Sequence, residues 1–153
     1  MLNEGWREQY DRMLRSRVRL QCVGSRDSEA GSAEARDSLY HFFQDAYHLK
    51  DWLKKDPGIG ASRPDAEKAV SDSGVLQICA DICNGSKHLM LTGTRTGDRG
   101  TAVVSQSVTI YGRGGIEHRW SIDSNGKTYD AHALSDEVVA AWDSWLQDHK
   151  LLP

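Results

Sequence analysis

The sequence has few cysteines, no excess of positive charge and no long apolar run, and each shortage excludes a class of protein. Its three cysteines are an odd number, and the helical spacing of Cys79 and Cys83 does not suit the narrow geometry of a disulfide. A formal net charge of −3 argues against a broadly basic surface for nucleic acid, although it leaves a local basic patch open. No apolar stretch approaches the roughly 20 residues that span a bilayer. We therefore expect a soluble, cytoplasmic protein with reduced thiols and no membrane segment.

Several well-known catalytic and cofactor-binding motifs are also missing. The chain contains no Gly-x-Ser-x-Gly nucleophile elbow, no phosphate-binding P-loop, no dinucleotide fingerprint and no His-Glu-x-x-His zinc motif. The glycine-rich segment 112–115 is not followed by a helical pattern whose N-terminus could bind a phosphate, so we interpret it as a turn. The sequence therefore predicts no cofactor and no metal site.

Helical patterns dominate the first part of the chain. Apolar stripes with spacings of three and four residues predict helices over 3–21, 34–55 and about 75–91. A shorter helix is predicted to start around residues 62–65, with Pro64 at an early position, and to end near Ser73. Segment 93–100 has no apolar residue and is predicted to be a loop, one that a partner could order.

Strand patterns follow in a single block. Segments 102–111, 116–122 and 127–132 read as strands, and the Asn125-Gly126 pair is a strong hairpin signal. Ser135 then caps a last predicted helix over 135–150. Strands gathered in one block indicate an α+β fold, with an N-terminal helical bundle followed by a three-stranded antiparallel meander and a C-terminal helix. We expect one domain over 1–153, divided into a helical part (1–91), the meander (101–133) and the closing helix.

The polar face of the predicted helix 75–91 is the most unusual feature of the sequence. Asp81, Asn84, Gly85 and His88 recur every three or four residues and therefore stack along one face. A surface helix normally presents long Lys and Glu side chains there. Because a glycine within a helix costs about 1 kcal/mol relative to alanine, we interpret Gly85 as a point of close approach for another backbone or a ligand.

A second polar column lies opposite the apolar stripe of helix 34–55 and consists of His41, Asp45, His48 and Trp52. If the two helices are antiparallel, His48 could lie near Asp81, Asn84 and His88 in a polar pocket with an aromatic wall. The alternative is that the column faces solvent and that its tryptophan covers the edge of the bundle. The apolar positions of Cys79 and Cys83 predict core residues, and His118 and His132 are predicted on strands.

Two stretches resemble a widespread set of small uncharacterised bacterial proteins. The recurring features of that set are a helix with the sequence HLKDW, here at 48–52, and a helix with the sequence NGSKH, here at 84–88. The likeness extends to the C-terminal part, where a strand runs into Asp130-Ala131-x-x-Leu134 and a tryptophan-bearing helix follows. The resemblance implies a family but no activity.

The second of these stretches is also similar, more distantly, to the motif of HEPN ribonucleases, which are all-helical bacterial proteins. Their motif is an arginine, a polar residue and then a histidine; Asn84 and His88 match the last two, and Cys83 stands at the arginine position. The resemblance implies metal-independent RNA cleavage with His88 as the base. The missing cation would have to come from Lys50 or Lys87, and the predicted meander is foreign to that family.

Two main hypotheses follow from these residues. In the first, the pocket is catalytic: His88 is the base, His48 its partner, Asp81 and Asn84 orient the reacting groups, and the anion or ligand is held by Lys50, Lys87 and Trp52. In the second, which the missing arginine favours, the same groups form a buried polar network in a non-enzymatic binding or dimerising module. RNA and a second copy of the chain are the corresponding partners.

A third hypothesis concerns the meander rather than the helices. Alternating side chains of the first predicted strand could line a groove for a small ligand together with Tyr111; these are Val104, Gln106, Val108 and Ile110.

Overall fold

Five α-helices and one antiparallel sheet make up the described part of the chain. The structure is a computed structural model that describes residues 4–59, 64–88 and 91–153. In chain order the elements are α1 (Trp6–Val23), α2 (Ser32–Lys55), a 3-10 turn (Pro57–Ile59), α3 (Ala66–Asp72), α4 (Gly74–Lys87), β1 (Ala102–Ile110), β2 (Ile116–Ser124), β3 (Lys127–Asp130) and α5 (Ala131–Asp148). The predicted α+β fold, with helices before and after a three-stranded meander, is confirmed.

The helices assemble around α2, which packs against each of the other four. Its predicted apolar stripe is confirmed, because all six of its members are fully buried: Leu39, Phe42, Phe43, Ala46, Leu49 and Leu53. Trp142 of α5 is also fully buried, and its indole Nε1 donates a hydrogen bond to the Ala46 carbonyl oxygen at 3.0 Å. Among the described helices, none is both long and apolar enough to cross a membrane.

The sheet has the order β1-β2-β3, and both connections are hairpins. Asn125 and Gly126 have φ angles of 51° and 73°, the left-handed pair that a two-residue hairpin turn requires. β2 packs one face against α1 and α5. On that face the Trp120 ring is stacked between the rings of His118 and His132, with centroid separations of 6.0 and 5.9 Å.

Some predicted helix ends are wrong. α4 ends at Lys87, and His88 has extended backbone angles (φ −126°, ψ 134°). The chain leaves the helix here because residues 95 and 96 must return to Asp81, which lies about 9 Å back along the axis. The predicted continuation through 89–90 falls outside the described residues.

The predicted start of α5 at Ser135 is also wrong, because Asp130 caps the helix five residues earlier. Its Oδ1 accepts a hydrogen bond from the Ala133 N–H at 2.9 Å, which satisfies one of the free amides of the first turn. His132 therefore lies in a helix and not on a strand. Similarly, Asp65 caps α3, so Pro64 precedes that helix; residues 62–63, and residue 3 of the first predicted helix, lie outside the described ranges.

Candidate functional site

Asp81, in the middle of α4, holds the loop that connects the helices to the sheet. Its side chain is fully buried, and Oδ1 accepts a hydrogen bond from the Arg95 N–H at 2.6 Å. Oδ2 accepts from the N–H and the hydroxyl of Thr96 at 3.0 and 2.6 Å. Both carboxylate oxygens are thus engaged by loop donors, which is how a buried carboxylate is stabilised.

The same loop is joined to the sheet through hydroxyl groups and a second aspartate. The Thr96 hydroxyl lies 3.2 Å from that of Thr101, which in turn lies 2.8 Å from the hydroxyl of Ser124 on β2. The Asn125 N–H donates to Asp98 Oδ2 at 2.7 Å. Segment 93–100, predicted to be a loop, is a loop held to the helices by Asp81 and to the sheet by Asp98.

Lys50 belongs to an ion-pair network and is almost completely buried. Its Nζ lies 2.8 Å from Asp51 Oδ1 and 2.8 Å from Glu67 Oε1, and Glu67 Oε2 accepts from Arg95 at 3.0 Å. Burial acts to lower the pKa of Lys50, but hydrogen bonds to Asp51 and Glu67 outweigh it and raise the pKa above its usual value. The lysine charge is therefore balanced by carboxylates, so it is poorly placed to bind an anion.

His48 lies beside the end of α4 and contacts two of its side chains. Its Nε2 is 3.3 Å from Lys87 Nζ and 3.9 Å from Cys83 Sγ. Partial burial, and then the charge of Lys87, lower the pKa of His48 below its ordinary value, so the ring is neutral at neutral pH. Burial likewise raises the pKa of the Cys83 thiol, and Cys79 is fully buried, in agreement with their prediction as core residues.

His88 lies in different surroundings from His48. It is exposed directly after α4 and lines a cavity of about 380 Å³ together with Asp81, Gly85, Tyr40 and Arg99. Ile82, Leu91 and Val103 supply its apolar wall. His48 is not among the residues that line this cavity, so the structure brings Asp81, Gly85 and His88 together and places His48 elsewhere.

The remaining predicted residues are dispersed. Asn84 is half-buried, and its carbonyl oxygen accepts from the His88 N–H at 3.2 Å.

Trp52 is half-buried at the edge of the bundle, where the Arg12 guanidinium lies 5.4 Å from its ring centroid. Asp45 accepts a hydrogen bond from the Ser16 hydroxyl of α1. His41 is thus exposed and Trp52 lies at the bundle edge, as in the alternative interpretation, whereas Asp45 and His48 are half-buried against α1 and α4.

The close approach of another backbone, one of the two reasons we expected for Gly85, is not found among the described residues. Within the described residues, no atom outside its own helix backbone and chain neighbours lies within 4 Å of the position that a Cβ would occupy. The glycine instead forms part of the cavity wall beside His88.

Residues of this region that the sequence pattern did not indicate are Tyr40, Glu67, Arg95 and Arg99. Two of them stand in a loop without periodicity, so no spacing in the sequence could have placed them. Over the described ranges, no group of three or more His, Cys, Asp or Glu side chains could hold a metal ion. No family model, curated protein or solved structure matches this chain.

Proposed function

We propose that this chain is a non-enzymatic binding or oligomerisation module whose inter-helix polar groups maintain its own architecture. The observation that carries the proposal is Asp81. A carboxylate that accepts three hydrogen bonds from one loop has both of its oxygens committed to holding that loop. It is therefore poorly placed to orient a substrate.

The neighbouring groups support the same proposal. Lys50 joins α2 to α3 through Glu67, and the same carboxylate continues to Arg95 of the loop. Of the two residues suggested as a catalytic pair, His88 lines the cavity beside Asp81 and His48 does not. A catalytic site requires its base, its partner and its charge-stabilising group within reach of one reacting atom. A reducing, cytoplasmic compartment belongs to the same proposal, supported by three cysteines that are all unpaired.

An RNA-cleavage assay tests the proposal. Labelled single-stranded and hairpin RNAs are incubated with the purified wild type and with His88→Ala, both in EDTA and with added Mg²⁺. We expect the two proteins to leave the RNA equally intact at every enzyme concentration. Cleavage by the wild type that disappears in the variant, while its circular dichroism spectrum stays native, would contradict a non-enzymatic function.

A second candidate function is a HEPN-like ribonuclease, and one observation favours it. Arg99 lines the same cavity as His88 and could supply the cation that Cys83 does not. His88 would then remove the proton of a ribose 2′-hydroxyl, and Arg99 would stabilise the charge that develops on the phosphate. Under this candidate, cleavage is lost in His88→Ala and in Arg99→Ala but retained in His48→Ala, since His48 lies outside the cavity.

A further inference from the structure

β1 is an edge strand whose outer side is open. It stands first in the sheet order, and among the described residues it pairs with β2 alone. Seven of its nine residues are exposed, and the other two, Val103 and Gln106, are half-buried. Three of the four exposed large apolar side chains of the described chain lie on this strand: Val104 (52% exposed), Val108 (44%) and Ile110 (76%).

This edge lacks most of the devices that normally prevent strands from pairing between molecules. Such edges are usually protected by charged side chains, especially Lys, by Pro or by irregular backbone. Residues 101–111 contain no charged residue, no proline and no glycine, although 27% of the chain is charged. The register shift between Val103 and Ser105 is the one irregularity of the pairing with β2, and the pairing is regular from Ser105 to Ile110.

The backbone of this regular part presents hydrogen-bonding groups to the open side. Tyr111 N–H donates to the Gly115 carbonyl at 2.8 Å, which fixes the alternation along the ladder. The backbone N–H and C=O groups of Ser107 and Thr109 therefore face β2. Those of Gln106, Val108 and Ile110 face the free edge. In agreement, Ile116, which stands opposite Ile110, donates its N–H away from β1, to the Ser28 carbonyl.

We infer that this edge pairs antiparallel with β1 of a second copy of the chain, about a two-fold axis at Gln106. This inference names the partner for the module proposed above and rests on that proposal. The occupant follows from the sequence around the axis, Val104-Ser105-Gln106-Ser107-Val108, which is the same in both directions. Antiparallel pairing places each Val104 opposite the partner's Val108 and each Ser105 opposite the partner's Ser107.

Such matched pairs are what stabilise neighbouring strands, and no strand residue from 101 to 111 brings a like charge to its partner. The charge nearest the axis is Arg36 of α2, which donates to Gln106 Oε1 at 3.3 Å. The regular part from Ser105 to Ile110, at about 3.4 Å per residue, gives an edge roughly 20 Å long. The two sheets would form one continuous six-stranded sheet. The exposed valines and Ile110 then gain apolar neighbours from the other copy.

The oligomeric state of edge variants tests the pairing. Val108→Pro removes an N–H that faces the open edge and leaves the hydrogen bonds to β2 in place, and Val108→Lys introduces the charge typical of protected edges. Val18→Lys is the matched control, because Val18 is also exposed (57%) but lies on α1. Mass is measured by light scattering after size exclusion over a wide concentration range.

We expect the wild type and Val18→Lys to dimerise with rising concentration. In both Val108 variants the dissociation constant of the dimer should be at least ~10-fold higher than in the wild type, and the circular dichroism spectrum should stay native. A wild type that stays monomeric at millimolar concentration would overturn the inference. The partner of the edge would then be a strand of another protein. That result would leave the proposed non-enzymatic function unaffected, because that function is tested separately by the RNA-cleavage assay.

Disulfide trapping tests the register. The variants are made in a Cys22→Ser background, which removes the exposed native thiol. In the double variant Ser105→Cys/Ser107→Cys, the thiol at 105 of one copy lies opposite the thiol at 107 of the other, at a Cα separation near 4.5 Å. The double variant should form a covalent dimer on mild oxidation, whereas either single variant should not. Cross-linking of Ser107→Cys alone, or of none of the three variants, would overturn pairing about Gln106.

Discussion

Gly85 occupies the last turn of α4 with open space in front of it. Because a methyl group would meet no described atom there, Gly85→Ala should stabilise the folded state by about 0.5–1 kcal/mol through the lower entropy of the unfolded chain. Urea unfolding of the variant and the wild type measures the difference. A loss of stability would mean that another group does approach this position, as the sequence first suggested.

His48 and His132 make stability depend on pH in a defined direction. Burial lowers the pKa of both residues below its ordinary value. In His132 it outweighs the hydrogen bond from Nε2 to the Leu20 carbonyl, which acts to raise the pKa. The unfolded state therefore binds protons before the folded state does. Stability is unaffected by these groups above about pH 7 and falls as the pH drops below about 6.5.

This pH dependence is measured as the free energy of unfolding in urea at a series of pH values from about 7.5 to 5. Each histidine contributes a slope of at most about 1.4 kcal/mol per pH unit. We expect His48→Gln and His132→Gln each to flatten the decline, whatever their effect at neutral pH. An identical slope in the wild type and both variants would show that neither histidine is responsible.

Among the structural elements, the β1–β2 hairpin is positioned by its backbone contact with the loop after α1. A Cβ on Gly115 would lie 1.8 Å from the Arg26 carbonyl oxygen, and the next residue, Ile116, donates its N–H to Ser28 in the same loop. Only a residue without a side chain allows this approach. The glycine-rich turn that the sequence predicted thus also joins the sheet to the helices.

We therefore expect Gly115→Ala to destabilise the protein by more than about 2 kcal/mol, because backbone atoms on both sides must move. Gly112→Ala lies in the same turn, and its added methyl group meets no described atom within 4 Å beyond its chain neighbours, so it should change stability by less than about 0.5 kcal/mol. Thermal unfolding of the two variants is the comparison. Equal effects of the two substitutions would argue against the contact with Arg26.

The elements themselves could be predicted from sequence because their signals are local. Apolar periodicity identified the buried stripe of α2. The Asn125-Gly126 pair identified the turn between β2 and β3 from backbone chemistry alone. The end of α4 could not be predicted in this way. It depends on a loop that returns to Asp81 from fourteen and fifteen residues further along the chain.

The candidate site was harder to predict for the same reason. Asp81, Gly85 and His88 line one cavity, but His88 lies beyond the end of the helix on which the three were predicted to stack. The position of His48 depended on how α2 is rotated against α4, which no residue spacing specifies. Arg95 and Arg99 come from a loop without periodicity, and the contacts of Glu67 on α3 depend on how that helix packs, so none of these partners could be placed from residue spacing.

At the scale of the whole molecule, one polar network joins α2, α3 and α4 and, through the loop after α4, strand β2. Asp51 and Lys50 of α2, Glu67 of α3 and Arg95 of the loop form a chain of ion pairs, and the backbone of Arg95 continues it to Asp81 of α4. The Thr96 hydroxyl then contacts the hydroxyl of Thr101, at the start of the sheet. The loop is therefore one of the connections between the helices and the sheet, beside the packing of β2 on α1 and α5.

The most direct test of this account compares the unfolding free energies of Asp81→Ala and His88→Ala in urea. Asp81→Ala leaves three loop donors without their acceptor and should lower stability by about 2–4 kcal/mol. His88 is exposed, so His88→Ala should change stability by less than about 0.5 kcal/mol. Wild-type stability in Asp81→Ala, or an equal loss in both variants, would contradict the structural role that we assign to the network.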